Sequence, residues 1–275
     1  MNKQSCALIP CFVFLLLKLS TPVFAIESLE VETKITTGLG FEYLKYEEQL
    51  PETSLQSNAN VSNIVIRIEG VKRWENIFIG IDGTVPAVKF DSQEEWLING
   101  TLAQTDSLSY GITQLAAIIG YPITPLFNPY LGLRSTWSNQ QRSDFKDHTG
   151  LIVSSLRITE TVKAHYISLG FRGGLPISKD WGISYGAQYS LPYSVEVTND
   201  GLPGWETSNI NGYSWRVYSE LLYIMREKMS LSLLFSAGQL HWEGSGWEIY
   251  NGGQIKWPEN DTSFINSFLN FNKSF

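Results

Sequence analysis

Along most of the chain, hydrophobic and polar residues alternate one for one. From Leu29 the odd positions read Leu29, Val31, Thr33, Ile35, Thr37, Leu39, Phe41 and Tyr43, against Glu30, Glu32, Lys34, Thr36, Gly38, Gly40 and Glu42. The same split runs from Trp181 through Ile183, Tyr185, Ala187, Tyr189, Leu191, Tyr193 and Val195, with Glu196 on the polar parity, and again from Met229 through Leu231, Leu233, Phe235 and Ala237. Such runs outlast the five or six residues usual for a strand in a soluble domain. At ~3.3 Å per residue and a tilt near 40°, about ten residues climb roughly 25 Å, the height of the apolar band of a membrane barrel.

Applied to the rest of the chain, the rule predicts strands near 61–71, 76–85, 104–119, 129–138, 161–173, 212–225 and 261–275, about ten in all. Connections near 47–60, 86–103, 139–160, 198–211 and 242–260 are long and polar, whereas those near 70–75, 121–128, 174–180 and 226–228 are short. This sorting predicts an all-β, transmembrane, antiparallel up-and-down barrel with both termini and the short turns in the periplasm. Trp181 with Tyr193, and Trp215 with Tyr223, are spaced to place one ring at each lipid–water boundary. Gln114 lies between Ile112 and Ala116 on the apolar parity of its strand, where a bulge is expected. Lys163 and His165 point outward, above the bilayer.

The ends refine this picture. Residues 1–25 read as an export signal, with Lys3, an apolar run from Ala7 to Leu17 and Val23-Phe24-Ala25 before the cleavage point, leaving 26–275 as the barrel domain. Residues Ile265, Leu269, Phe271 and Phe275 share a parity; the final strand resembles the C-terminal targeting signal of outer-membrane barrels, which implies the barrel assembly machinery as a partner. Phe271 and Phe275 carry that likeness, and Lys273 departs from it.

Both cysteines, Cys6 and Cys11, fall in the signal, so the mature chain has neither a disulfide nor a thiolate metal site. With Lys3 and Lys18 removed, 18 basic residues face 27 acidic ones, a net charge of −9. That excess argues against nucleic-acid binding. No metal site or cofactor is expected.

The alternation assigns Glu30, Glu32, Lys34, Glu42, Arg67, Glu69, Asp82, Arg134, Arg172, Arg216 and Glu220 to the lumen, where both signs should pair into a solvated plug or line a narrow solute path. Arg142, Lys146, Lys163 and His165 form a candidate basic group on the outer rim for lipopolysaccharide phosphates, beside the outer-membrane lipids around the wall.

Ten strands, about 250 mature residues, five long outer loops and an aromatic C-terminus make the chain similar to the omptins, outer-membrane aspartate/histidine proteases. The resemblance covers nearly the whole chain in layout and implies paired aspartates on one rim facing an Asp-x-His dyad on the other. The sequence departs from that motif: the second long loop offers Asp91, Glu94 and Glu95 without Asp-x-Asp spacing, and the fourth has Asp200 and Glu206 without a histidine. The general base of that chemistry is therefore missing at its family position. The remaining candidates are Asp91, His148 beside Asp144 and Asp147, and His241 beside Glu243. No Gly-x-Ser-x-Gly elbow or His-Glu-x-x-His helix is present. The expected function is that of a monomeric, non-enzymatic outer-membrane barrel whose loops serve surface interaction or envelope integrity. The alternatives are an omptin-like protease or lipid-modifying enzyme, and a narrow pore.

Overall fold

A computed structural model describes residues 32–208 and 210–275. The export signal and Glu30 lie outside these residues. The strands are Glu32–Leu50 (β1), Leu55–Arg73 (β2), Phe78–Lys89 (β3), Ser92–Ile98 (β4), Thr101–Gly120 (β5), Asn128–Asp147 (β6), Ile152–Ser154 (β7) and Ile158–Pro176 (β8). They continue as Trp181–Asn199 (β9), Glu206–Ser208 (β10), Gly212–Arg226 (β11), Met229–Trp242 (β12), Glu248–Tyr250 (β13), Gly253–Ile255 (β14) and Glu259–Ser274 (β15).

Every neighbouring pair is antiparallel. β3 covers the lower part of β2 and β5 while β4 covers their upper part, so the two make one interrupted stave. With β1, β2, β5, β6, β8, β9, β11, β12 and β15 this gives ten staves. The ring closes where β1 pairs with β15, from Lys34 opposite Ser274 to Gln49 opposite Glu259. Closure satisfies the edge amides, which in hydrocarbon have no water to turn to.

The staves are taller than the alternation implied. The segment 47–60, read from sequence as a loop, is strand up to Leu50 and again from Leu55, joined by one turn of 3-10 helix at Pro51–Thr53. Much of 86–103 is likewise β4 and the start of β5, turned at Asn99-Gly100 with both residues at positive φ (52° and 75°), the geometry of a tight hairpin. A stave of 19 residues such as β1 rises roughly 45–50 Å at the usual tilt, about twice the apolar band.

The outward side chains show where hydrocarbon lies. Leu39, Phe41, Ile68, Ile81, Leu131, Leu133, Ile167, Leu169, Leu191, Phe235, Ile265 and Leu269 are each more than half exposed and ring the lower half. A continuous exposed apolar surface of this kind requires a nonaqueous partner. At its short-turn edge the rings of Trp181 and Tyr223, cross-strand partners, lie 4.8 Å apart.

Above that belt the pattern changes phase. On β1 the outward series Leu39, Phe41, Tyr43 gives way to Lys45 and Glu47, while the inward series changes from Glu42 to Leu44 and Tyr46. β8 does the same, with His165 and Lys163 outward and Tyr166, Ala164 and Val162 buried inside. Past the bilayer the outer face meets water, so the barrel becomes a water-facing one with an apolar core within.

At two places the structure departs from the sequence expectation. Gln114 needs no bulge, because its parity faces the lumen and Leu108, Tyr110 and Ile112 on that parity are interior core. On β9 a register shift near Pro192 and Ser194 exchanges the faces, turning Val195 inward and Glu196 outward.

Inside, six aromatic residues stand directly across from a glycine of the adjacent stave. The pairs are Phe78 with Gly120, Tyr130 with Gly170, Tyr218 with Gly186, Trp242 with Gly212, Phe264 with Gly238 and Phe268 with Gly40. In each, a Cβ on the glycine would run into the ring, so the missing side chain is what lets the aromatic lie flat against the wall.

Candidate functional site: the barrel interior and its mouth

The lumen has two storeys. The lower holds a cavity of about 320 Å³, lined by charged residues the alternation had assigned inward: Lys34, Arg67, Glu69, Asp82, Arg172, Arg216 and Glu220. Arg67, from β2, lies between two carboxylates, with Nη2 2.8 Å from Glu69 and Nε 3.1 Å from Asp82. Arg172 reaches the other oxygen of Glu69 at 3.6 Å, and Arg216 that of Asp82 at 3.3 Å. Glu220 instead accepts from Ser184 at 3.0 Å, from Asn270 at 3.3 Å and from Ser232. Arg73, at the end of β2, joins the lining.

Three further residues assigned to the lumen stand apart from this cavity. Glu42 accepts from Asn63 at 2.8 Å, Arg134 lies 4.3 Å over the Tyr166 ring, and Glu32 accepts from Ser274 at the rim.

The upper storey is closed by packing. Leu44, Tyr46, Val61, Leu108, Tyr110, Ile112, Tyr166, Val197 and Leu240 fill it from the wall. The connections after β9 and β12 supply a cap. Trp257 is 1% exposed, with Nε1 donating to Glu160 at 3.0 Å and its backbone N–H to Ser245 Oγ at 2.8 Å. Trp205, also buried, donates to Glu248 of the β13–β14 hairpin at 3.0 Å, and Thr207 donates to the same carboxylate at 2.6 Å.

Buried within this core is an ion cluster that sequence reasoning missed. Arg142 Nε lies 2.7 Å from Glu94 and Nη2 3.2 Å from Glu48. Ser57 donates to Glu94 at 2.7 Å, Tyr46 donates to Glu48, and the guanidinium sits 5.3 Å over the Trp96 ring. Asp106 accepts from Trp96 at 2.7 Å. The missed signal was parity: Arg142 is eight residues from the lumenal Arg134 on one strand, and an even spacing puts both on the same face.

The proposed outer basic group therefore does not assemble as expected. Arg142 points inward and is buried, and Lys163 is ion-paired with Glu196 at 2.7 Å. His165 shares a hydrogen bond with Ser135 at 2.8 Å, and Lys146 stands exposed near the top of β6. Among the catalytic candidates, Asp91 is exposed between β3 and β4 and His148 is exposed in the turn after β6. His241 is on the outward face of β12, with Nδ1 3.0 Å from Asp261; Glu259 completes a group whose ligand-type atoms fall within 4.8 Å. Glu94, in the loop where the omptin likeness implies a catalytic carboxylate, is held by Arg142, while Asp200 accepts the Thr159 amide at 2.6 Å.

At the chain's end, the Phe275 amide donates to Thr33 at 2.9 Å and Lys273 lies 5.0 Å over the Phe275 ring, so the last residue joins the seam that closes the ring.

The outer membrane protease OmpT from Escherichia coli superposes over 90% of this chain and 99% of its own, with a TM-score of 0.63 at 11% sequence identity. The fold is that of an outer-membrane β-barrel of omptin-like layout. Similarity extends to the translocator domain of the autotransporter NalP from Neisseria meningitidis (12% identity, 89% and 90% of the two chains, TM-score 0.33) and to Ail, the attachment invasion locus protein of Yersinia pestis (10%, 90% and 99%, 0.30). No family model matches the chain, and no curated protein sequence matches it. At this identity the likeness to OmpT concerns architecture; in this barrel the interior below the mouth is filled by Tyr46, Tyr166, Trp242 and Trp257.

Proposed function

We propose that the protein is a closed outer-membrane barrel that acts at the cell surface through its protruding upper half, in surface interaction or envelope integrity, without turnover. The observation that carries this reading is the capped mouth, where Trp205 and Trp257 are buried on an aromatic and aliphatic core in place of an open cleft. The long exposed apolar belt supports an outer-membrane location, and the short-turn rim with both chain ends is read as periplasmic. β15 is read as the strand the assembly machinery recognises, through Phe271 and Phe275. The wall's partners are membrane lipids, with Lys146 and His165 the remaining outward candidates for lipopolysaccharide contact.

The test combines two measurements on the refolded protein. Planar-bilayer recordings should give no steady conductance, and incubation with peptides and lipopolysaccharide should give no product. Regular ion steps would replace this reading by the pore.

A second reading, a lipid-modifying enzyme, is favoured by the His241–Asp261 pair on the outward wall above the belt, where a headgroup could reach it. Product formed from lipopolysaccharide and abolished by His241→Ala would establish it.

A further inference from the structure

The lower cavity is unbalanced in charge. Five basic side chains line it against three carboxylates. Two of those carboxylates are shared among three arginines and the third is satisfied by neutral donors, as described above. Among the described residues, neither Lys34 nor Arg73 has a carboxylate within ion-pair distance; Arg73 has only Asn128, at 3.5 Å. Deeper in, the Arg67 side chain is 7% exposed, yet its Nη1 is buried without a hydrogen-bond partner.

A buried guanidinium N–H without an acceptor is rare in a folded protein, and Arg67 is one of the residues that line this cavity. Water can fill one such position, but it does not offset the excess of basic side chains around the cavity, of which Lys34 is half-buried and Arg73 stands exposed at the rim. A cavity of about 320 Å³ has room for a small polyanion and its hydration water. Arginine forks match phosphate oxygens, and lysine adds a point charge.

We propose that this cavity is an anion site for a phosphate dianion, free or as a small monoester. The ligand enters from the short-turn rim, with Lys34 and Arg73 as the outer clamp and Arg67 and Arg172 as the inner donors. A monocarboxylate offers one charge and two oxygens, too few for donors arranged at both depths.

The experiment is calorimetric titration of the refolded barrel, in phosphate-free octyl glucoside micelles at low salt, with inorganic phosphate, glycerol 3-phosphate and acetate. Saturable one-site binding of inorganic phosphate, at least tenfold tighter than acetate, is expected; a further gain with glycerol 3-phosphate identifies the monoester as the better fit, and its exclusion identifies the free anion. The Lys34→Gln/Arg73→Gln double variant removes the two cations that form no close ion pair, and its folding is checked by heat-modifiable migration. It should bind phosphate at least tenfold more weakly, Arg73→Lys should retain most of the binding, and Lys45→Gln, on the outer wall, should leave it unchanged. No saturable binding, acetate binding as tight as phosphate, or unchanged affinity in the folded double variant would each overturn the proposal.

Discussion

Arg142 of β6 meets Glu94 of β4 inside the barrel, Nε to carboxylate at 2.7 Å, with the Glu94 side chain wholly shielded from solvent. The contact crosses from one stave to another two positions away, with β5 between them. It fixes the upper barrel from within, where a wall held only by backbone ladders would be free to flex.

Removing the cation should therefore cost more than the pair itself is worth. Arg142→Gln leaves Glu48 and Glu94 buried without a counter-charge, and a loss of about 3–5 kcal/mol is expected in urea unfolding from lipid vesicles. Glu48→Gln/Glu94→Gln/Arg142→Met should recover much of it, because neutralising both carboxylates together with the cation leaves no unmatched charge.

The cap makes a separate prediction. Trp257→Ala removes a wholly buried indole and takes the donor from one oxygen of Glu160, so a destabilisation of about 3–5 kcal/mol is expected. Proteolysis should then cut the connection between β12 and β15 faster than in the parent, while heat-modifiable migration still reports a closed wall.

A third prediction concerns the glycine-aromatic pairs. Gly186→Ala sets a methyl group against the Tyr218 ring, and about 1–3 kcal/mol of overpacking is expected from the unfolding midpoint. Ala187→Gly, its outward neighbour, is the control; it should show no ring displacement in the tyrosine fluorescence.

The rim gives a pH dependence with a defined sign. Lys256 donates to Glu52 at 2.6 Å, linking the β1–β2 turn to the cap connection, and this bond holds the Glu52 carboxyl below its ordinary value. A depressed carboxyl contributes above its unfolded-state pKa and loses that contribution as pH falls through the folded one. Acidification below the usual glutamate range should therefore loosen this tether, seen as faster amide exchange around Glu52. Lys256→Gln should remove that step.

The lower half of the barrel was legible because two demands coincide there: the outward face must be apolar and the lumen admits charge, so Phe41 beside Glu42 reads unambiguously. Arg67, Glu69, Asp82 and Arg216 were placed by that contrast alone. In the upper half the outward face meets water and the inside becomes core, so Lys45 beside Tyr46 carries the same alternation with its meaning reversed. This reversal at constant parity makes the strand extensions resemble polar loops, and with 139–160 taken as a loop the even spacing from Arg134 to Arg142 goes unused, so Arg142 falls to the outer rim. The β9 irregularity near Pro192 left Val195 and Glu196 on the wrong faces for a related reason: one extra residue exchanges the sides of everything beyond it. The cap was illegible because Trp205 and Trp257 sit in polar connections without periodicity, and only distant staves give them a place to be buried.

A ring lying across a neighbour's bare backbone works as a key in a keyway. Sliding a stave by two residues would lift the ring onto a side chain at these seams, except that Phe268 moved one way meets Glu42 and moved the other way meets Gly38, so the seams together check the alignment. One of them, Phe268 on Gly40, lies at the join of first and last staves. The last strand of the chain thus meets a notch in the first, and the rings at the other seams narrow the ways in which the cylinder can shut.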